Sequence, residues 1–408
     1  MATPRLETVL NERLKELERS GRLKGEESVI AGIIPAGGGK GPRYLLKGHG
    51  DRPFLRMNSN SYLGLALNAK VKAAEEEAVR HYGTGPGAVR FVSGTWEPHV
   101  ALEQRLAGFH YRPAAMLLSS AYAAVMGILP TLIGERTAVI SDELNHNCII
   151  NAIALGRPTE KRIYRHLDME ELERHLAEAV RSCSRAIVVT DGVFSMRGDH
   201  APLDRIRALV DRFDSAFAEN ALLVVDDSHG VGALGATGRG TEEVTSAGAA
   251  DLLVATLGKA FGVNGGYVVG SDTVIRFLRE TSPFYIYSNP IAPAEAAAAH
   301  AAVGIVDGPS GHALLGHLRA MTGRFRRGLA DLGLETLAGE HPVVPLLVRD
   351  TERTSRIVRH LRDEGILATG LNHPVVPKGD EEIRFQISAD HTAADMDEAL
   401  GILRRLPQ

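Results

Sequence analysis

Leu252-Leu253-Val254-Ala255-Thr256-Leu257-Gly258-Lys259-Ala260-Phe261-Gly262 is an apolar run that ends in a lysine set among glycines. The uninterrupted Leu252–Ala255 core predicts a parallel strand buried on both faces. The pattern recurs upstream. Ala138–Ile140 is followed by Ser141-Asp142-Glu143-Leu144-Asn145-His146, and Ala186–Thr190 by Asp191-Gly192-Val193-Phe194-Ser195. Leu222–Val225 is followed by Asp226-Asp227-Ser228-His229-Gly230. Helical patterns over Met169–Arg181 and Leu203–Phe213 separate the runs, which predicts an α/β domain with a mainly parallel sheet. In such sheets ligands sit beyond the carboxyl ends of the strands. Four strands therefore present His146, Ser195, Asp226 with His229, and Lys259 toward one crevice. A single strand-end Asp is often a helix cap, and a lone His or Lys is usually surface. The four together point to a site.

Outward from this core, residues 5–19 place Leu6, Val9, Leu10, Leu14 and Leu17 on one face of an amphipathic arm. Gly21 to Gly50 is Gly- and Lys-rich and weakly patterned, and reads as a linker or irregular segment. The expected division is an N-terminal arm and linker over 1–54, a large domain over 55–290, and a small α+β domain over 291–408. The last comprises helices near 292–306, 312–333, Thr354–Glu364 and Ala393–Arg405, with strands at Val343–Val348, Ile366–Leu371 and Ile383–Ser388. Ala114 to Gly134 carries no charge, but Ser119, Ser120, Tyr122, Gly127 and Pro130 favour a buried strand, a turn and a buried helix over a membrane span. Two glycine motifs are set aside. Gly230 to Gly235 fits G-x-G-x-x-G but is followed by Thr237-Gly238-Arg239-Gly240, which breaks a helix. Gly37 to Gly41 has Gly41 where a phosphate loop needs Ser or Thr.

The 408 residues are 44% hydrophobic and 24% charged, which excludes disorder. With 46 basic and 50 acidic residues the net charge is −4, so no basic excess invites nucleic acid or an anionic membrane. Two cysteines, Cys148 and Cys183, exclude a disulfide scaffold and suit a reducing cytoplasm. The charged start is no signal peptide. The surplus is glycine, at 43 residues, which suggests close backbone approach to a ligand.

A lysine flanked by glycines after a buried strand suits Schiff-base chemistry. Pyridoxal phosphate then needs a carboxylate at its ring nitrogen, donors to its phenolate oxygen, a flat group over the ring, and backbone N–H groups at its phosphate. Asp226, His229 with Ser195, His146, and the turn Ser119-Ser120-Ala121-Tyr122 can fill those roles in that order.

From residue 55 to the C-terminus the chain resembles the α-oxoamine synthases, fold-type I pyridoxal-phosphate transferases. The marks are Asn60 to Leu65, Gly83-Thr84-Gly85, Arg90 with Ser93-Gly94-Thr95, His99, and Leu144-Asn145-His146. Asp191 to Met196, Asp226 to Gly230, Thr256 to Gly262 and Arg384 complete them. The resemblance implies that Lys259 carries the cofactor and later removes the substrate α-proton. Asp226 pairs with the ring nitrogen, His229 and Ser195 meet the phenolate oxygen, and His146 stacks on the ring. Ser120, the backbone of Ala121 and Tyr122, the Thr256 hydroxyl and Ser288 of the partner subunit hold the phosphate. Arg384, Asn60 and His99 serve the substrate side, Arg384 as a fork for the carboxylate. It further implies homodimers with shared active sites, embraced by the N-terminal arm. The implied reaction joins an amino acid, glycine foremost, to an acyl-CoA. Val375 to Gly379 and Tyr287-Ser288-Asn289 look most like glycine C-acetyltransferase. An 8-amino-7-oxononanoate synthase-like or a longer-chain synthase is the alternative, and an aminotransferase the more distant one. Val125 and Arg197 depart from the family pattern, which has Asn and Asp there in many members.

Overall fold

The structure, a computed structural model, describes residues 3–20, 22–23, 27–373 and 376–406; Gly21 and Val375 lie outside the described residues. The Val, Ile, Leu and Ala runs form one seven-stranded sheet. Its strands are β1 (Ala114–Leu118), β2 (Thr137–Asp142), β3 (Glu160–Tyr164), β4 (Arg185–Asp191), β5 (Ala221–Asp226), β6 (Leu252–Thr256) and β7 (Gly266–Gly270). They run in the order β1-β7-β6-β5-β4-β2-β3. β6, β5, β4, β2 and β3 pair in parallel, and β7 is antiparallel to both neighbours. Alternate residues feed opposite faces. Val139, Ile187 and Val189 enter one core with the helices Ala121–Leu132 and Asn147–Gly156, whereas Ala138, Ile140, Ala186 and Val188 enter the other with Met169–Ala179 and Leu203–Asp214. The uncharged Ala114–Gly134 stretch becomes β1 and a buried helix, and no described helix is long and apolar enough to cross a membrane.

β7 has no sequence signal of its own because Gly266 and Gly270 bound it. Gly266 is nonetheless required. A Cβ there would lie 2.1 Å from the Ala121 amide nitrogen and 2.2 Å from the Ser120 carbonyl carbon. The bare backbone lets β7 pass directly beneath the turn after β1.

The chain packs as two units: residues 60–322 with 338–342, and residues up to 59 with 323–337 and 343 onward. The division expected at residue 290 falls elsewhere for a packing reason. The helix Pro293–Val306 buries Ala296, Ala299, Ala302 and Val303 and packs on the helices Ala69–Tyr82 and Glu97–Phe109, so it belongs to the large unit. Within residues 27–50 two strands form where a linker or irregular segment was expected. Ile30–Ile34 and Arg43–Leu46 pair antiparallel with each other and then with Pro53–Arg56, which takes Ile366–Leu367 as a parallel neighbour. Ile30, Ile33 and Ile34 are all exposed, so no polar–apolar alternation announces the first strand. A buried Arg43–Asp395 pair at 2.7 Å ties this sheet to the helix Ala393–Leu403. The expected strand Ile366–Leu371 is divided between two sheets, its Thr369–Leu371 half joining Glu382–Gln386 and Val343–Leu347. Arg384 sits in register with Pro345 and Thr369. The N-terminal helix, Pro4–Arg19, keeps Leu6, Val9, Leu10 and Leu14 exposed in this chain.

Beyond the sheet edge, His166 joins two strand-end loops. Its Nδ1 lies 3.1 Å from Asp142 Oδ1 and its Nε2 3.3 Å from Asp199 Oδ2. Arg197 also engages Asp199, Nε to Oδ2 at 2.8 Å. Burial disfavours the charged imidazole, but the bonds to the two carboxylates outweigh it and push the pKa up to about 9. The folded state thus holds the proton more tightly than the unfolded chain. Its contribution is full below the ordinary value of 6.5 and is lost as pH rises through about 9. The melting temperature should fall as pH rises from about 7 to about 9, and His166→Gln should flatten that fall; an unchanged slope would contradict the assignment. Gly266→Ala should cost about 1–3 kcal/mol by overpacking, read as a lowered denaturant midpoint at unchanged slope, and a neutral result would contradict the close approach.

Candidate active site

A cavity of about 260 Å³ lies where the carboxyl ends of β4, β5 and β6 meet the helix starts after β1 and β2. Ser120, Ala121, Tyr122, His146, Ser195, Asp226, His229, Thr256 and Lys259 all line it. Ser288, expected from a partner subunit, is not among its lining residues. Cys148, Asp191, Val193 and Ser228 line it as well and carried no assigned role from the sequence.

One wall is a helix N-terminus. Ser120 caps the helix Ala121–Leu132, its Oγ accepting the Ala123 amide at 3.0 Å. The first-turn amides of Ala121 and Tyr122 have no intrahelical acceptor, and the helix dipole favours an anion there. Val125, one of the two departures from the family pattern, points into the core behind this helix and is 2% exposed.

Opposite stands a pair of carboxylates. Asp191 and Asp226 end adjacent parallel strands in register. Asp226 Oδ1 accepts the Ser228 amide at 3.1 Å, and the Cys148 thiol lies 3.6 Å from its Oδ2. Asp191 Oδ2 accepts the His146 amide at 3.0 Å. Burial first, and then the Asp226 charge, holds the Asp191 carboxyl well above the usual carboxylate range. That direction is the one expected when like charges share a dry site.

The rings are held by specific partners. His146 caps the helix Asn147–Gly156, with Nδ1 accepting the Cys148 amide at 3.3 Å. Burial is the main influence lowering its pKa, aided by Lys259 and opposed by Asp226, so the neutral imidazole is favoured. His229 Nδ1 meets the Tyr62 hydroxyl at 2.7 Å, and its carbonyl accepts from His341 Nε2 at 2.9 Å. Tyr62 and His341 support the site from behind, and Tyr62 lies in the Asn60 to Leu65 motif.

Asp227 turns away from the cavity. Its carboxylate accepts the Thr241 amide at 2.7 Å and the Thr241 hydroxyl at 2.6 Å. A Cβ on Gly192, Gly230 or Gly240 would lie 2.1, 2.0 or 2.1 Å from its oxygens. Burial raises its pKa to about 7 against the pull of the two Thr241 bonds. Part of the glycine surplus therefore cages a buried carboxylate beneath the site.

The substrate-side expectations fare differently. Asn60 belongs to the large unit, its Oδ1 3.5 Å from the Tyr62 hydroxyl. Arg384 belongs to the other unit. His99 is not among the residues that line the cavity. Its ring is fully buried, Nδ1 accepts the Trp96 amide at 3.1 Å, and Nε2 bonds the Ile291 carbonyl at 2.8 Å. It closes the start of the helix Glu97–Phe109.

An anion cradle, a carboxylate, a flat neutral ring and a lysine at a strand end are together the donor set for pyridoxal phosphate. Comparison with known proteins agrees. Residues 52–403 match the Aminotransferase class I and II family. An 8-amino-7-oxononanoate synthase from Geobacter sulfurreducens is 41% identical, over 93% of this chain and 95% of that one. Another from Petrotoga mobilis is 37% identical, over 97% of each. The serine palmitoyltransferase from S. paucimobilis, solved with PLP and myriocin bound, superposes with a TM-score of 0.85 at 26% identity, covering 99% of this chain and 98% of that one. The protein is a pyridoxal-phosphate-dependent enzyme of the acyltransferase kind. It belongs to the α-oxoamine synthase family, of fold-type I.

Proposed function

We propose that this chain makes an 8-amino-7-oxononanoate-type aminoketone from alanine and a seven-carbon dicarboxylic acyl thioester. The observation that carries this is the 41% identity, over nearly the whole chain, to a relative of that name. The relative's name implies the chemistry. A nine-carbon acid with a carbonyl at its seventh carbon and an amine at its eighth divides between those two carbons. One side is the heptanedioyl group, and the other is alanine less its carboxylate. The bond formed joins the acyl carbonyl carbon to the α-carbon of alanine. The thiol of the carrier leaves, and carbon dioxide is lost. This support favours the alternative reading over glycine C-acetyltransferase, whose two motifs are short, one of them partly outside the described residues.

Pyridoxal phosphate, when bound, supplies an electron sink that lets the α-carbon give up a proton or a carboxylate. The roles proposed for the chain's own residues are these. Lys259 holds the cofactor through Nζ and, once displaced by the amino acid, takes the α-proton. Asp226 keeps the ring nitrogen protonated by charge pairing. The Tyr62 hydroxyl occupies His229 Nδ1, so His229 can donate from Nε2, with Ser195, to the phenolate oxygen. Neutral His146 covers the ring. The Ser120–Tyr122 helix start and Thr256 take the phosphate. Arg384 and Asn60 take the amino-acid carboxylate, for which a planar guanidinium is suited. A homodimer contributing Ser288 of the partner subunit completes the proposal, as does a cytoplasmic setting.

Thiol release should be followed with alanine, glycine, serine and threonine against acetyl-, succinyl-, pimeloyl- and palmitoyl-CoA. Alanine with pimeloyl-CoA should exceed glycine with acetyl-CoA by about tenfold or more in kcat/KM, since a matched pocket is worth at least that much. Preference for glycine and acetyl-CoA would overturn the substrate assignment. Amino transfer to an oxo acid without thiol release would overturn the reaction class. Lys259→Ala should lower kcat by about a hundredfold or more and remove the visible absorbance of the bound cofactor; a variant that keeps full turnover contradicts its role.

A further inference from the structure

Cys148 is the second residue of the helix that His146 caps, and its side chain lines the cavity while being 1% exposed. Its sulfur lies 2.9 Å from His146 Nδ1 and 3.6 Å from Asp226 Oδ2. The remaining contacts of the two groups are consistent with a bridge. Asp226 Oδ1 accepts the Ser228 amide, and the thiol lies beside Oδ2, a carboxylate oxygen having room for more than one donor. The His146 backbone is pinned by Asp191, and Nδ1 already accepts the Cys148 amide. We propose that Cys148 is a positioning residue whose protonated thiol bridges His146 and Asp226, keeping Nδ1 an acceptor and fixing the orientation of the carboxylate. The inference rests on the reading above, in which His146 and Asp226 face the cofactor from its ring side and its nitrogen edge.

The chemistry of the pocket keeps this thiol a donor rather than a nucleophile. Burial first, and then the charges of Asp226 and Asp191, push the thiol far above the ordinary range. A thiol that stays protonated carries one proton, here set between two acceptors. Protonating Nδ1 would set an N–H against the Cys148 amide and take from the thiol its nearer acceptor, so the arrangement opposes formation of the imidazolium. Asp226 and Lys259 are the charged groups that act on His146, one favouring and one opposing its charge, and the Asp191 carboxyl meets its amide. Cys183, the other cysteine, is buried outside the cavity and serves as an internal control for thiol replacement.

The full-length protein should be compared with Cys148→Ala and Cys148→Ser, with and without pyridoxal phosphate. The His146 titration midpoint is read by NMR without the cofactor, and cofactor affinity and absorbance are read on adding it. Cys148→Ala should raise the His146 midpoint by about half a pH unit or more. It should also weaken pyridoxal phosphate binding by about three- to tenfold, the worth of one hydrogen bond. Cys148→Ser, which keeps a donor, should restore both toward wild type. An alanine variant that matches wild type in both readings overturns the proposal. So does a serine variant as impaired as alanine, because the sulfur then only fills space. A midpoint that shifts as expected in a protein that binds no pyridoxal phosphate would support the bridge while overturning the cofactor roles.

Discussion

The register between β4 and β5 sets Asp191 opposite Asp226, two carboxylates side by side at the floor of one cavity. Parallel pairing alone does not require this; the Asp191–Asp226 register does. Two like charges in a water-poor site repel, and the structure answers in two ways. Asp191 is biased toward its neutral form while bonding the His146 amide. Asp226 takes the Ser228 amide on one oxygen and has the thiol near the other. The pair faces the place proposed for the cofactor's ring nitrogen, whose positive charge suits neighbouring carboxylates. The neighbours of the pair follow from it: His146 through its amide, Cys148 through its sulfur, and Ser228 through its backbone.

Rigidity comes from the surroundings. Strand ends carry Asp191, Asp226 and Thr256, and a helix start carries the anion cradle. Gly266 lets β7 run beneath that cradle, and three glycines enclose Asp227 just behind Asp226. Constellations on strands and helix ends hold their geometry better than those on loops. The second unit, with Arg384, carries the residue proposed for the substrate carboxylate.

The parallel sheet and most of the cavity were legible in the sequence because buried parallel strands are continuous apolar runs. Such runs mark where each strand ends, and the polar residue that follows marks the crevice. His146, Ser195, Asp226, His229 and Lys259 were found this way. Asp191 follows the same rule, but two adjacent strand-end carboxylates become a pair only when the register is known. Cys148 was given no role in the sequence, since the carboxylate it meets lies 78 residues away. His99 looked functional as part of a motif, yet both ring nitrogens are used by backbone groups. β7 was hidden by its glycines, and Ile30–Ile34 by exposure of both faces. The domain boundary was missed because an alanine-rich helix signals burial without saying against which partner.

The account stands most directly on Lys259 being the residue that holds pyridoxal phosphate in this cavity. Borohydride reduction of the purified, cofactor-loaded protein, followed by peptide mass spectrometry, tests it in one step. The account predicts a single pyridoxyl-phosphate adduct, on the Lys259 nitrogen. An adduct on another lysine, or none with the cofactor bound, would contradict it.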